Sequence, residues 1–209
     1  MPESTIESPA TSVRRRSARG EGDQLRTDLL EAGADLIAEH GSVDGISLRA
    51  IARRTGVSPT AVYRHFDDHS QLLQASVRHC WENFLHVLES ARDGEGDCFD
   101  AFDRSGIGYA DFALRNPGQY RVMFSHHIEI EAETSVVANA TFMILVDLVQ
   151  KMLHALDDDR STHIVAVQVH TWIHGIVDLS SSHPDVEWPP ITDQLLGLRE
   201  ALRLVRPDR

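Results

Sequence analysis

Apolar residues recur every three to four positions along most of this 209-residue chain, the spacing of helices buried on one face. Over 24–40 they fall at Leu25, Leu29, Ala32, Leu36 and Ile37, and Gly41 stops the run, which predicts a first helix. Ser47 has the chemistry of an N-cap for a second helix whose inward face is Leu48, Ile51 and Ala52 and which runs out at Thr55-Gly56. Ser58 and Pro59 restart the chain as cap and first helical residue, so a third, short helix is expected over 59–65, held inward by Val57, Val62 and Phe66. Longer helices follow over 72–88, 99–115, 134–156, 161–180 and 191–205. Asn116-Pro117-Gly118 reads as a stop, with Tyr120, Met123 and Phe124 making a short apolar turn after it. The stretch HIEIEAE at 127–133 alternates like a strand but stands alone, so a loop or helix approach is expected there. The fold class is all-α, with a three-helix N-terminal unit and a larger helical second part.

Composition refines this picture. With 42% apolar and 25% charged residues the chain can bury a substantial core in one or two domains. Residues 1–20, rich in Ser, Thr, Pro and Glu and ending in RRRSARG, lack the apolar content to pack and read as a flexible tail. No continuous apolar run approaches the roughly 18–20 residues of a membrane span, and no apolar stretch follows the N-terminal arginines as in a secretory signal. Two cysteines, Cys80 and Cys98, are too few for a disulfide framework or paired zinc motif, so a cytoplasmic setting is the default.

The net charge of −12 argues against a nucleic-acid partner until its distribution is read. Residues 46–66 carry Arg49, Arg53, Arg54 and Arg64 and no carboxylate, whereas residues 67–209 hold 11 basic against 23 acidic side chains. Within this island, SLRAIARRTGVSPTAVYRHF at 47–66 meets the requirements of a helix-turn-helix: two short helices, a glycine able to turn left-handed, and a second helix with an outward polar face. Ser47, Arg49, Ser58, Pro59, Thr60, Ala61, Tyr63, Arg64 and His65 are the candidate DNA contacts. Arg64 suits a guanine edge, Ala61 a thymine methyl, and Thr60 and Tyr63 phosphates. The competing reading of these residues alone is a solvated arginine face on a structural hairpin.

Residues 24–73, with LLEAGADLIAEHG, SLRAIARRTGVSPTAVYRHF and the leucine pair at 72–73, closely resemble the DNA-binding domain of the tetracycline-repressor (TetR) family. The resemblance implies a helix-turn-helix DNA-binding domain at 21–68 and a helical ligand-binding and dimerisation domain at 69–209. It implies a homodimer on a palindromic double-stranded operator, and repression relieved by a small molecule. ALRNPGQYRVMF and TWIHG are similar to a subgroup with a Trp, His and Gly signature in the ligand domain. The family's usual lysine at the start of the fourth helix is replaced by His69, after Asp67-Asp68. His69 therefore joins the DNA candidates as a pH-dependent phosphate contact, and the two carboxylates are expected to repel DNA.

In the second part, the 161–180 helix is apolar nearly all round and needs two partners, one of them a symmetry mate. Trp172 and Ile176, with Leu195, Leu198 and Leu202 on the last helix, are the expected dimer interface. A partly apolar effector is expected among Tyr109, Phe112, Met123, Phe124, Phe142, Met143, Val146, Met152 and Trp172, each of which has plain core packing as its alternative. His170, His174 and Asp178 lie four apart on one helix, where two histidines can chelate a metal, with His126, His127, Glu129 and Glu131 as further ligands. A satisfied histidine cluster is the simpler account, so no metal and no cofactor are expected. No nucleophile elbow, Walker loop, dinucleotide glycine pattern or HExxH motif is present, so no enzyme is expected. The competing class is a helical metal- or lipid-binding protein whose reader domain has lost its operator.

Overall fold

The computed structural model describes residues 21–125 and 131–206, and every regular element in them is a helix. In order these are α1 Glu21–His40, α2 Leu48–Thr55, α3 Pro59–Val62, α4 His69–Arg92, α5 Cys98–Arg115, α6 Pro117–Phe124, α7 Ala132–Ala155, α8 Thr162–Ser182 and α9 Ile191–Ala201. The arginine-bearing tail and residues 126–130 lie outside the described residues, and with them His126, His127 and Glu129. Glu131, at the N-cap position of α7, makes no side-chain capping bond.

The first three helices stop and start where local chemistry dictates. Ser47 caps α2 by accepting from the Ala50 N–H at 3.1 Å, and Gly56 closes it in the left-handed region at φ 73°. Ser58 caps α3 from the Ala61 N–H at 3.3 Å, with Pro59 at its first position. Regular α-helix ends at Val62, short of the expected residue 65. Beyond it the backbone tightens, with the Arg64 N–H donating to Ala61 and the His65 N–H to Val62. Leu48, Ile51, Ala52, Val62 and Phe66 are buried against Leu29, Leu36 and Ile37 of α1.

α4 is the long connector: it packs on α1 at one end and on α5 and α7 along its length. Arg104 of α5 gathers its C-terminal turn, donating to the carbonyls of Ala91, Arg92, Gly94 and Glu95. α5 opens on a reciprocal capping box between Asp97 and Asp100, both also bound by Arg206. Asn116-Pro117-Gly118, expected as a stop alone, also starts α6, because proline at a first helical position gives up no bond. α7 is long and apolar enough by composition to cross a membrane, yet it packs within the bundle against α4, α5 and α8. α9 ends at Ala201, before the expected residue 205.

Candidate functional site

The helix-turn-helix exposes Ser47, Arg49, Arg53, Ser58, Pro59, Thr60, Tyr63 and Arg64, while Ala61 and His65 are half-buried. Tyr63 is 57% exposed, more than a structural aromatic requires. The four arginines divide by role. Arg54 donates to both carboxylate oxygens of Glu39, at 2.7 and 2.9 Å, and lies 3.8 Å from Asp35, so it staples α2 to α1. Arg49, Arg53 and Arg64 have no ion-pair partner among the described residues. Arg26 lies 5.3 Å from the Phe66 ring and holds the end of the motif to α1.

The start of α4 differs from the expectation. His69 turns its Nε2 to the Ile46 carbonyl at 2.7 Å, joining α4 to the segment before α2. Such a bond needs an N–H at Nε2, which both the protonated ring and one neutral tautomer carry. Asp68, expected to repel DNA, accepts from the Gln71 N–H at 2.8 Å as the N-cap of α4. A carboxylate there complements the helix dipole.

In the second half, an apolar cavity of about 60 Å³ lies among α4, α5, α7, α8 and α9 and reaches the end of α6. Tyr109, Phe124 and Phe142 line it, as do His170 and Ser105. The other effector candidates lie elsewhere. Phe112, Met123 and Met152 are buried core, and Val146 is half-buried outside the cavity lining. Met143 is 50% exposed and Trp172 41% exposed, both on outer surfaces. Helical periodicity marks these residues as apolar but not which neighbour each meets.

Beside the cavity runs a polar chain that links three helices. The Tyr109 and Tyr120 hydroxyls are 2.6 Å apart, and the Tyr120 hydroxyl is 2.5 Å from His174 Nδ1. Burial pushes both phenols above their ordinary value, so they stay protonated. His170 and His174 stack with ring centroids 6.0 Å apart, and burial holds both below the ordinary histidine value. Asp178 is exposed, and the described residues contain no group of three or more His, Cys, Asp or Glu arranged to hold a metal. Because the unfolded chain binds these protons near pH 6.5 and the folded chain only at lower pH, stability is fully present above that value and falls as pH drops through it. The melting temperature is therefore expected to fall from about pH 7.5 to about pH 5.5, and thermal unfolding of His170→Gln should show a smaller drop.

α6 joins this network to the reader. Its far end carries Phe124 into the cavity, and Tyr120 holds His174. At its near end the Gln119 side chain donates to the Ala34 carbonyl of α1 at 3.0 Å, and Gly118 lies against the Ala38 carbonyl.

The expected dimer residues divide as well. Leu195 and Leu198 are buried within the chain, Leu195 against Gly106 of α5, so these two are not an outward stripe. Leu202 and Ile176 are half-buried. The exposed large apolar residues of these two helices are instead Ile164 (60%), Val167 (43%), Trp172 and Leu179 (47%) on α8, and Leu196 (52%) on α9.

A helix-turn-helix with an unpaired arginine face, carried on a helical body around an apolar cavity, defines a helical DNA-binding regulator fold. Residues 29–76 match the model of the tetR family of bacterial regulatory proteins, and residues 103–197 match the tetracyclin repressor-like C-terminal domain. The chain belongs to the tetR family. Curated relatives include the nucleoid occlusion factor SlmA of Vibrio cholerae, 26% identical over 52% of this chain and 55% of its own length. The HTH-type transcriptional regulator Rv1816 of Mycobacterium tuberculosis is 29% identical over 53% and 47%. The chain thus spans about half the length of the curated relatives it matches. Among solved structures, a protein of unknown function from Rhodococcus sp. RHA1 has the same fold, with a TM-score of 0.74 at 22% identity over 94% of this chain and 100% of that one.

Proposed function

We propose that this protein is a ligand-responsive transcriptional repressor that binds a palindromic operator as a homodimer and leaves it when a small molecule fills the cavity. The observation that carries this reading is the pairing of a free Arg49, Arg53 and Arg64 face on the reader with a cavity joined to it through α6. The DNA contacts in this reading are Ser47, Arg49, Ser58, Thr60, Tyr63 and Arg64, with Pro59, Ala61 and His65 shaping the helix that presents them. His69 acts by fixing the start of α4. The working division is a reader at 21–68 and a sensing and dimerising part at 69–209, with the TWIHG segment contributing Trp172 to the outer face of α8 and His174 to the polar chain. Binding genomic DNA places the protein in the cytoplasm, and the chemistry of the site is recognition, not catalysis.

The route for the response follows packed contacts. A ligand in the cavity touches Phe124 and His170, and any tilt of α6 that results moves Gly118 and Gln119 against the backbone of α1. α1 in turn holds α2 through Glu39 and Arg54. Shifting two reading helices away from a separation of about 34–36 Å is enough to mismatch the half-sites, and coupling of about 1–3 kcal/mol gives a roughly fivefold to hundredfold response.

Dimerisation through α8 and α9 is supported by residues whose choice the monomer does not explain. Gly175 lies on the α8 face of Ile164, Trp172 and Leu179, and a Cβ there would meet nothing within 4 Å. A glycine inside a helix costs about 1 kcal/mol relative to alanine, and a partner helix crossing closely at this point accounts for it. Gly175→Leu is expected to leave the monomer folded, to convert a species of twice the 23.3 kDa chain mass into a single chain, and to weaken DNA binding at least tenfold. Analytical ultracentrifugation with a DNA titration checks this; a variant that stays dimeric and binds DNA as wild type does would refute the interface.

A further inference from the structure

The cavity's polar atoms indicate what it holds. Of the lining side chains that carry a polar atom, Thr141 donates to the Ala138 carbonyl at 2.6 Å, and the Tyr109 hydroxyl is engaged with Tyr120. Ser105 is different. Its residue is only 8% exposed, its Oγ is shielded from solvent, and it has no hydrogen-bond partner among the described residues. A serine inside a helix ordinarily returns its hydroxyl to the carbonyl four residues earlier, as buried Ser76 of α4 does to Leu72 at 2.8 Å. A buried hydroxyl left without a partner is unfavourable, and its persistence on a cavity wall points to a partner that arrives with the ligand. His170 is the other unspent polar group: its ring meets Tyr109, Phe124, Phe142 and His174 but makes no hydrogen bond among the described residues.

The lining is otherwise hydrocarbon and aromatic, and no Lys, Arg, Asp or Glu belongs to it. A carboxylate or phosphate inside would be desolvated without a counter-ion, and the burial that holds His170 below its ordinary value keeps the imidazole from supplying one at neutral pH. A ligand that brings a single uncharged oxygen meets none of that cost and gives Ser105 its missing bond.

We propose that the cavity binds a neutral, mostly apolar molecule bearing one hydroxyl or carbonyl group, whose oxygen pairs with Ser105 while His170 offers the second polar position on the wall. This rests on the reading of the cavity as the effector site and narrows it to a chemical class. The test uses the full chain at neutral pH and three probes of one carbon skeleton, 1-decanol, decanal and decanoate, followed by calorimetry. Decanol or decanal is expected to bind at least tenfold more tightly than decanoate. Ser105→Ala should weaken decanol binding about tenfold while the melting temperature of the ligand-free protein stays level or rises, because the substitution removes an orphaned hydroxyl and little packing. Equal or tighter binding of decanoate, no binding of decanol or decanal up to their solubility limits, or decanol affinity unchanged by Ser105→Ala would overturn the proposal. Operator release is scored separately. Decanol that binds through Ser105 yet leaves the DNA complex intact upholds the ligand class and refutes the effector role, whereas release by an anionic ligand alone upholds the regulator and refutes the class.

Discussion

Gly118→Ala is expected to lower the melting temperature by about 6–12 °C, the equivalent of about 3 kcal/mol for a chain of this size. A Cβ at this position would sit 2.1 Å from the Ala38 carbonyl oxygen and 2.9 Å from that of Ile37. Both belong to the last turns of α1, where carbonyls are fixed by the helix and cannot swing aside as a flexible side chain would. The only relief is for α6 to lift from α1, which also lengthens the Gln119 bond to the Ala34 carbonyl. Overpacking of this kind typically costs about 1–3 kcal/mol, and the rigid obstacle places this case at the upper end. Because the same contact joins the cavity to the reader, the variant should also respond less to any effector that releases wild type. Differential scanning calorimetry reads the first effect. Gly108→Ala, whose Cβ would meet only ordinary van der Waals contacts with Val87 and Ala91 at 3.4 and 3.5 Å, serves as the control that should not fall. A Gly118→Ala protein melting with wild type would show that α6 does not press on α1.

Arg64→Ala should abolish sequence discrimination. One arginine directed at a guanine edge contributes about 1–3 kcal/mol, and a twofold dimer loses it twice, so about 2–6 kcal/mol or roughly 30-fold to 10⁴-fold in affinity is at stake. Arg54→Ala makes an instructive comparison, because its guanidinium is committed to Glu39 and Asp35. That substitution should act on the stability of the α1–α2 pair and leave base preference unchanged. Charge counting along the chain cannot separate these two arginines, since both belong to the same carboxylate-free island.

The difference between them marks how far the amino-acid pattern reaches. Ser47, Gly56, Ser58 and Pro59 specify the reader through bonds to their immediate neighbours, so α2, the turn and the start of α3 were legible from local chemistry. The family's form was legible there too, since LLEAGADLIAEHG and the motif after it lie on α1 to α3. What the pattern left open depends on contacts between distant segments. Pro117 is compatible with ending one helix and with beginning the next, and it does both. Leu195 and Leu198 form an apolar stripe whose periodicity is the same whether it faces the body or a partner; burial against α5 decides for the body and leaves Leu196 outside. Asp68 and His69 looked like a defect in a DNA surface because their partners, the Gln71 N–H and the Ile46 carbonyl, are visible only when α4 is in place. Tyr109, Phe124 and Phe142 could not be told from Phe112 and Met123 until the helices crossed. Ser105 carried no signal at all, since a lone serine in a helix is unremarkable until its hydroxyl is seen buried on a cavity wall with no partner among the described residues.

Two copies of the α3 surface, carried on one twofold dimer, read DNA bases in this regulator. Selection of binding sites from a pool of random duplexes, run in parallel with wild type and Arg64→Ala, decides whether they do. Wild type is expected to enrich an inverted repeat whose half-site centres lie one helical turn, about 34–36 Å, or a multiple of it apart, and Arg64→Ala to enrich none. Failure of wild type to enrich any sequence, or enrichment of the same repeat by Arg64→Ala, would show that this surface does not read bases.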